Sequence, residues 1–223
     1  MNESYQLLRQ TSLGTQLPDA TLRELAVIAR IQSYSAGAIV QLEGDPAQAL
    51  FLVVAGLVKI MRTSAAGREQ VLHLAGVGQH VNLVPMFDGG PCPASVQALT
   101  DARLLALPKE ALLRQVAGDP ALALVLLADL SARQRMLVNL VDDLALHTVQ
   151  GRLARLLLTQ AEAAARGEEA PPLTQADMAA RLGTVREMVG RALKTFEGLG
   201  LISLERGSIL IRDQPGLEAE AER

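Results

Sequence analysis

The chain has 223 residues, of which 49% are hydrophobic and only 2% aromatic, so any core must be aliphatic. A single cysteine excludes an internal disulfide and a cysteine-ligated cluster, and points to a reducing compartment. The net charge of −3 is unevenly spread: residues 148–212 carry 9 Lys and Arg against 7 Asp and Glu, residues 1–147 carry 11 against 13, and residues 213–223 carry 1 against 4. Only residues 148–212 are net positive, and it is the local field that would steer a polyanion.

Met1–Gln10 is polar and mixed, unlike a leader, and no apolar run reaches the roughly 20 residues needed to cross a bilayer. A cytoplasmic protein is expected. From Ser33 to Leu107 short apolar runs (Ala38–Val40, Leu50–Val54, Leu57–Ile60, Val71–Leu74) alternate with Gly44, Gly56, Gly67 and Gly78. Strand and turn at such even spacing predict an all-β barrel or sandwich, with glycine at the corners. Residues 1–118 are therefore expected to form a β-domain.

After Asp119–Pro120 the period becomes helical as far as Leu146. Leu130, Leu137 and Leu144 are seven residues apart, as are Leu126, Arg133, Leu140 and His147, which suits a coiled-coil-like seam between two copies. A helix packed on its own β-domain is the alternative. Residues 119–147 form this helix and hinge, and residues 148–223 a further domain. In the latter, Gly151–Ala165 is periodic and apolar, Arg166–Pro172 is a loop, Leu201–Leu204 and Ser208–Ile211 flank Glu205–Gly207 as a hairpin, and Gln214–Arg223 is an acidic tail expected to be mobile.

Thr174 to Lys194 is the most informative stretch. Thr174 is placed to N-cap a helix over Gln175–Leu182, with Asp177 completing a capping box. Small Ala179 allows a close helix crossing, Gly183 suits a left-handed turn, and Met178, Leu182, Val189 and Leu193 would lock a second helix across the first. This is the frame of a helix-turn-helix, and the hairpin behind it adds a wing. Arg186, Glu187 and Arg191 fall within about 140° of one helix face at 100° per residue. Arginine can donate two bonds to guanine and glutamate can accept one from cytosine, while Gly190 removes bulk between them. Thr174, Val185 and Lys194 complete the expected DNA-contacting set. A solvated helix face with an Arg–Glu pair is the bland alternative.

With glycine-spaced strands, long helix, the Leu144–Ala154 joint and winged helix-turn-helix in this order, the chain resembles the cyclic AMP receptor protein/fumarate–nitrate regulator (CRP/FNR) superfamily from about Leu13 to Asp213. Gly183-Thr184-Val185-Arg186-Glu187-Met188-Val189-Gly190-Arg191 is similar to its Gly-x-Ser-Arg-Glu-x-Val-x-Arg motif. The resemblance implies an α+β protein: an N-terminal double-stranded β-helix or jelly roll like a cyclic-nucleotide-binding β-roll, a long dimerisation helix, and a C-terminal winged helix-turn-helix. It implies a homodimer on promoter DNA with a TGTGA-like inverted repeat, RNA polymerase as partner, and no enzymatic activity. Val185 and Met188 depart from the motif's usual Ser and phosphate-touching Thr, which points to altered backbone contacts.

The sensor end departs further. Where the family's cyclic-nucleotide cassette has Gly-Glu, this chain has Asn82-Leu83; its Arg-Ser pair is matched by Pro93-Ala94, and its polar pair on the long helix by Leu137-Val138. Cyclic AMP is not expected, because an anionic phosphate needs donors and a cation. An iron–sulfur cluster is not expected with one Cys. Leu83, Val84, Pro85, Met86, Leu137 and Leu140 would line an apolar pocket suited to haem, an apolar organic effector, or nothing. Of the three histidines, His73 reads as structural, His147 lies in the interdomain joint, and His80 leads as an axial haem ligand. Cys92, between two prolines in a turn expected to be exposed, has no neighbouring cation to activate it and reads as filler. The alternatives are a CRP-like adaptor without DNA binding and a cupin-type metalloenzyme, whose close pair of metal-binding histidines is missing.

Overall fold

A computed structural model describes residues 3–166, 173–205 and 208–222. It divides into two compact units, residues 1–62 with 72–137, and residues 63–71 with 138–223. The division falls within the long helix. The loop residues 167–172 and the hairpin tip 206–207 read from the sequence lie outside the described residues.

Three short helices open the chain: α1 (Glu3–Arg9), α2 (Ser12–Gln16) and α3 (Asp19–Ile28). Eight strands follow: β1 (Arg30–Tyr34), β2 (Ile39–Gln41), β3 (Ala49–Ala55), β4 (Val58–Thr63), β5 (Glu69–Ala75), β6 (His80–Val81), β7 (Ser95–Ala98) and β8 (Ala102–Pro108). Between β6 and β7 lies the short α4 (Val84–Phe87). The strands form two four-stranded sheets, ordered β1-β8-β3-β6 and β2-β7-β4-β5, the double layer of a jelly roll. Gly44, Gly56, Gly67 and Gly78 all have positive φ, between 75° and 89°, as the turn rhythm predicts.

β3 is apolar on both faces because both are covered. Phe51 and Val53 join Val58, Val96 and Leu104 between the sheets. Leu50 and Leu52 instead meet Leu105, Leu107 and the N-terminal helices. Cys92 belongs to that second cluster and is 1% exposed, which corrects the expected exposed turn. Its Sγ donates to Asn82 Oδ1 at 3.4 Å, and burial raises its thiol pKa.

α5 (Lys109–Gly118) leads into α6 (Pro120–Leu146), a helix of 27 residues. Leu122 and Leu126 are buried against the first unit's own core and Leu130 packs beside them. The stripe read from the sequence as a seam thus begins as an own-core face, because the β-domain covers it first. Further along, Leu137 and Leu144 of that stripe are 44% and 39% exposed, and a more exposed set lies beside it: Leu124, Leu127, Val138 and Val141 are 57–67% exposed. With Ser131 and Gln134 they repeat at alternating spacings of three and four, a heptad seam in another phase. Among the described residues, no single helix is long and apolar enough to cross a membrane.

The second unit holds α7 (Val149–Ala165), α8 (Gln175–Leu182), α9 (Arg186–Gly198), the hairpin β9 (Ile202–Glu205) and β10 (Ser208–Ile211), and α10 (Gln214–Ala221). The expected mobile tail is this last helix. Asp213 caps it by accepting from Gly216 N at 3.1 Å, and Leu217 is fully buried with Leu153, Phe196 and Leu201. Two apolar residues in an acidic segment suffice to dock it.

Candidate functional site

The two-helix element in the second unit is built from local chemistry. Thr174 Oγ1 accepts from Asp177 N at 3.1 Å, and Asp177 Oδ2 accepts from Thr174 N at 3.0 Å, a reciprocal box that starts α8. Gly183 ends α8 in the left-handed region at φ 63°, where a side chain would be strained. The backbone N–H of Thr184 then donates to Ala179 O at 3.0 Å, closing the turn. Val189, Ala192, Leu193 and Phe196 of α9 are buried against Met178, Ala179 and Leu182 of α8. That contact fixes which side of α9 faces out.

Arg186, Glu187, Arg191 and Lys194 are all exposed on that outer side. Met188 is partly covered, and its thioether accepts from Arg191 Nη2. Val185 occupies the N-cap of α9 and is 38% exposed, and its side chain caps none of the first N–H groups of this helix. Thr174 is exposed at the start of α8, but its hydroxyl is already committed to Asp177. Behind α9, Glu197 Oε1 accepts from Leu204 N at 3.3 Å, which ties the helix to the wing. Arg212 on the wing donates to Ser203 Oγ at 2.9 Å and pairs with Glu205 at 3.3 Å.

The joint from α6 to α7 holds residues that the sequence reading missed. Arg152 Nη1 lies 3.0–3.3 Å from the carbonyls of Asp143, Leu144 and His147, covering the open end of α6. Arg155 pairs with Asp143 and donates from Nε to Ala221 O at 2.8 Å, so α10 reaches the joint through one guanidinium. The available signal was two arginines in an otherwise Ala/Leu-rich helix. His147 lies 4.0 Å from both Asp142 and Asp143.

Of the six residues expected to line an effector pocket, the five in the first unit differ in burial. Leu83 and Met86 are 2% and 1% exposed within the core, whereas Val84 and Leu137 are each 44% exposed, and Leu140 belongs to the other unit. Asn82 takes the left-handed conformation at φ 75°, and its side chain turns inward to Gln41 and Ala49 O. Lys109 Nζ donates to Pro85 O at 2.6 Å. The cassette is thus occupied by its own chain.

His80 is 2% exposed, and both of its ring nitrogens are engaged. Nε2 is 2.5 Å from Asp129 Oδ2, and Nδ1 is 2.7 Å from Arg133 Nη2, which also donates to the His80 carbonyl. An axial bond from this residue to a haem iron would require one of these contacts to break. Arg133, which broke the apolar stripe, does so to reach His80. The bond from His80 lowers the Asp129 pKa, with Arg133 adding to it against burial. Burial pushes the Arg133 guanidinium down from its ordinary value, opposed by Asp129. His73 on β5 is held to about 4 by burial first, then by the charges of Arg133 and His80.

Two family models match this architecture in order: a cyclic nucleotide-binding domain over residues 31–119 and a Crp-like helix-turn-helix domain over residues 151–220. A CRP-like cAMP-activated global transcriptional regulator of Mycobacterium tuberculosis is 34% identical over 184 residues, covering 80% of this chain and 82% of that protein. The chain belongs to the CRP/FNR family. A further family member, the cyclic AMP receptor protein of Thermus thermophilus, is 33% identical over 188 residues, covering 83% of this chain and 85% of its own. A CRP/FNR regulator of Eubacterium rectale superposes with a TM-score of 0.80 over 95% of this chain and 98% of its own, at 23% identity, a likeness of fold. The helix-turn-helix of α8 and α9 is the DNA-binding element of a CRP-family transcription regulator.

Proposed function

We propose that the protein is a homodimeric transcription regulator that binds an inverted repeat of TGTGA-like half-sites in promoter DNA, there to meet RNA polymerase. The observation that carries this reading is the exposed arc of Arg186, Glu187, Arg191 and Lys194 on a helix whose other face is fully buried. Arg186 and Arg191 have the donors for guanine, and Glu187 the acceptors for cytosine. Thr174, Val185 and Lys194 border the backbone. An apolar Val185 leaves that work to the α9 N–H groups. Intact base readers favour DNA binding over a ligand-binding adaptor, and regulator relatives favour it over a cupin enzyme. A cytoplasmic location fits the lone reduced cysteine.

Two copies would pair along the exposed seam of α6, from Leu124 through Leu127, Ser131, Gln134 and Val138 to Val141. An apolar row of this length on one helix marks an interface. Arg186→Ala should cost roughly 1–3 kcal/mol on the specific site and relax one base position. Electrophoretic titrations on specific and random DNA separate the outcomes: equal losses on both would show that Arg186 does not read sequence.

The relatives are named for cyclic AMP, but this cassette presents Leu83, Pro93 and Ala94 where a cyclic phosphate needs donors. The two cations bonded in its neighbourhood, Lys109 and Arg133, are committed to Pro85 O and His80. Cyclic AMP therefore does not activate this regulator, and calorimetric titration should give no binding heat. Micromolar affinity would overturn that.

A further inference from the structure

The His80–Asp129–Arg133 network joins β6 to α6 across the first unit. Its chemistry is unusual for a stabilising contact. A histidine is taken out of water and a guanidinium partly so, and the compensating carboxylate remains 24% exposed. Ion pairs of this kind repay little of their desolvation, and well-packed apolar replacements are often as stable or more so. What such a network does supply is register, because a polar group with one matching partner tolerates no slip.

The geometry is specific enough for that role. Arg133 Nη2 lies 2.7 Å from His80 Nδ1 and donates to the His80 carbonyl, while Nε2 faces Asp129 Oδ2 at 2.5 Å. Asp129 and Arg133 are one helical turn apart on α6, on the side carrying Leu122, Leu126 and Leu130. Rotating α6 by one residue, about 100°, would carry Arg133 off His80 and replace the seam of Leu124, Leu127, Val138 and Val141 with another stripe. The network is therefore placed to decide which stripe faces outward. Next to it, the cassette is filled by Leu83, Met86, Cys92 and inward-turned Asn82.

We infer that His80, Asp129 and Arg133 are positioning residues that stand in for a small-molecule effector, fixing the rotation of α6 so that the dimer binds its DNA site with no ligand added. This rests on the DNA-binding reading above. It deepens that reading by assigning the control of the site to the protein's own side chains.

The test uses full-length protein, unfolded in guanidinium, dialysed and refolded to remove any small molecule. It should bind its selected DNA site as tightly as protein never unfolded. The apolar triple replacement His80→Phe, Asp129→Leu, Arg133→Met should keep its thermal midpoint within a few degrees, yet lose about tenfold or more in specific affinity. Arg133→Lys retains charge and stem but not the fork between ring and carbonyl. It should show a smaller loss on the same site and the same fold stability, which keeps the test intact if the triple variant does not fold. Cysteines placed at Leu127 or Val138 should cross-link in the wild type and less efficiently in either variant. Wild-type affinity and cross-linking in a folded variant would overturn the inference, as would refolded protein that binds only after cell extract is restored. If wild-type protein binds selected and random DNA equally, with or without extract, it is the DNA-binding reading that fails.

Discussion

At the residue scale, His73 carries a pH signature with a definite sign. Its pKa is 6.5 when unperturbed and about 4 in the fold, with burial as the main cause. Between those values the unfolded chain holds a proton that the folded chain does not, so stability is lost as pH falls through that window. His73→Gln should flatten the decline in urea midpoint between pH 6.5 and pH 4. An unchanged slope would assign it to another group. The sequence placed His73 in a strand but gave no hint of the Arg133 charge that also depresses it. The same limit applies to His80, whose partners lie 49 and 53 residues away. The Thr174–Asp177 box, by contrast, spans three residues and was readable because both partners belong to one helical turn.

At the scale of elements, α6 shows why periodicity alone is ambiguous. Two stripes at heptad spacing run along it, Leu126–Leu130–Arg133–Leu137 and Leu124–Leu127–Ser131–Gln134–Val138–Val141, and a sequence cannot say which one the β-roll covers. Packing decides it for the first turns, where Leu126 is 1% exposed and Leu127 57%, whereas Leu137 further along is 44% exposed. The consequence is separable by mutation. Val138→Asp should halve the mass seen by light scattering while leaving the fold intact, because it introduces charge only at the seam between copies. Leu130→Asp, on the covered stripe, should instead lower the thermal midpoint. A Val138→Asp protein that remains dimeric would move the seam elsewhere. The glycine-paced strands and the two-helix element were legible from composition and spacing. α10 was not, because one leucine among Gln, Pro, Gly, Glu and Ala shows no apolar period, while Leu217 and Ala221 do the docking.

At the scale of the whole molecule, dimerisation and base reading are linked by geometry. A two-fold pair of winged helix-turn-helix units presents its reading helices about one DNA turn apart, about 34–36 Å. Half-site spacing is thus a property of the dimer and base identity a property of Arg186, Glu187 and Arg191, and one experiment reports both. Selection of full-length protein on random double-stranded DNA, with no effector added, should enrich an inverted repeat with half-site centres about one helical turn apart, about 10–10.5 base pairs, or a multiple of it. Recovery of unrelated sequences, or of a single unrepeated half-site, would contradict a dimer that reads DNA through α9.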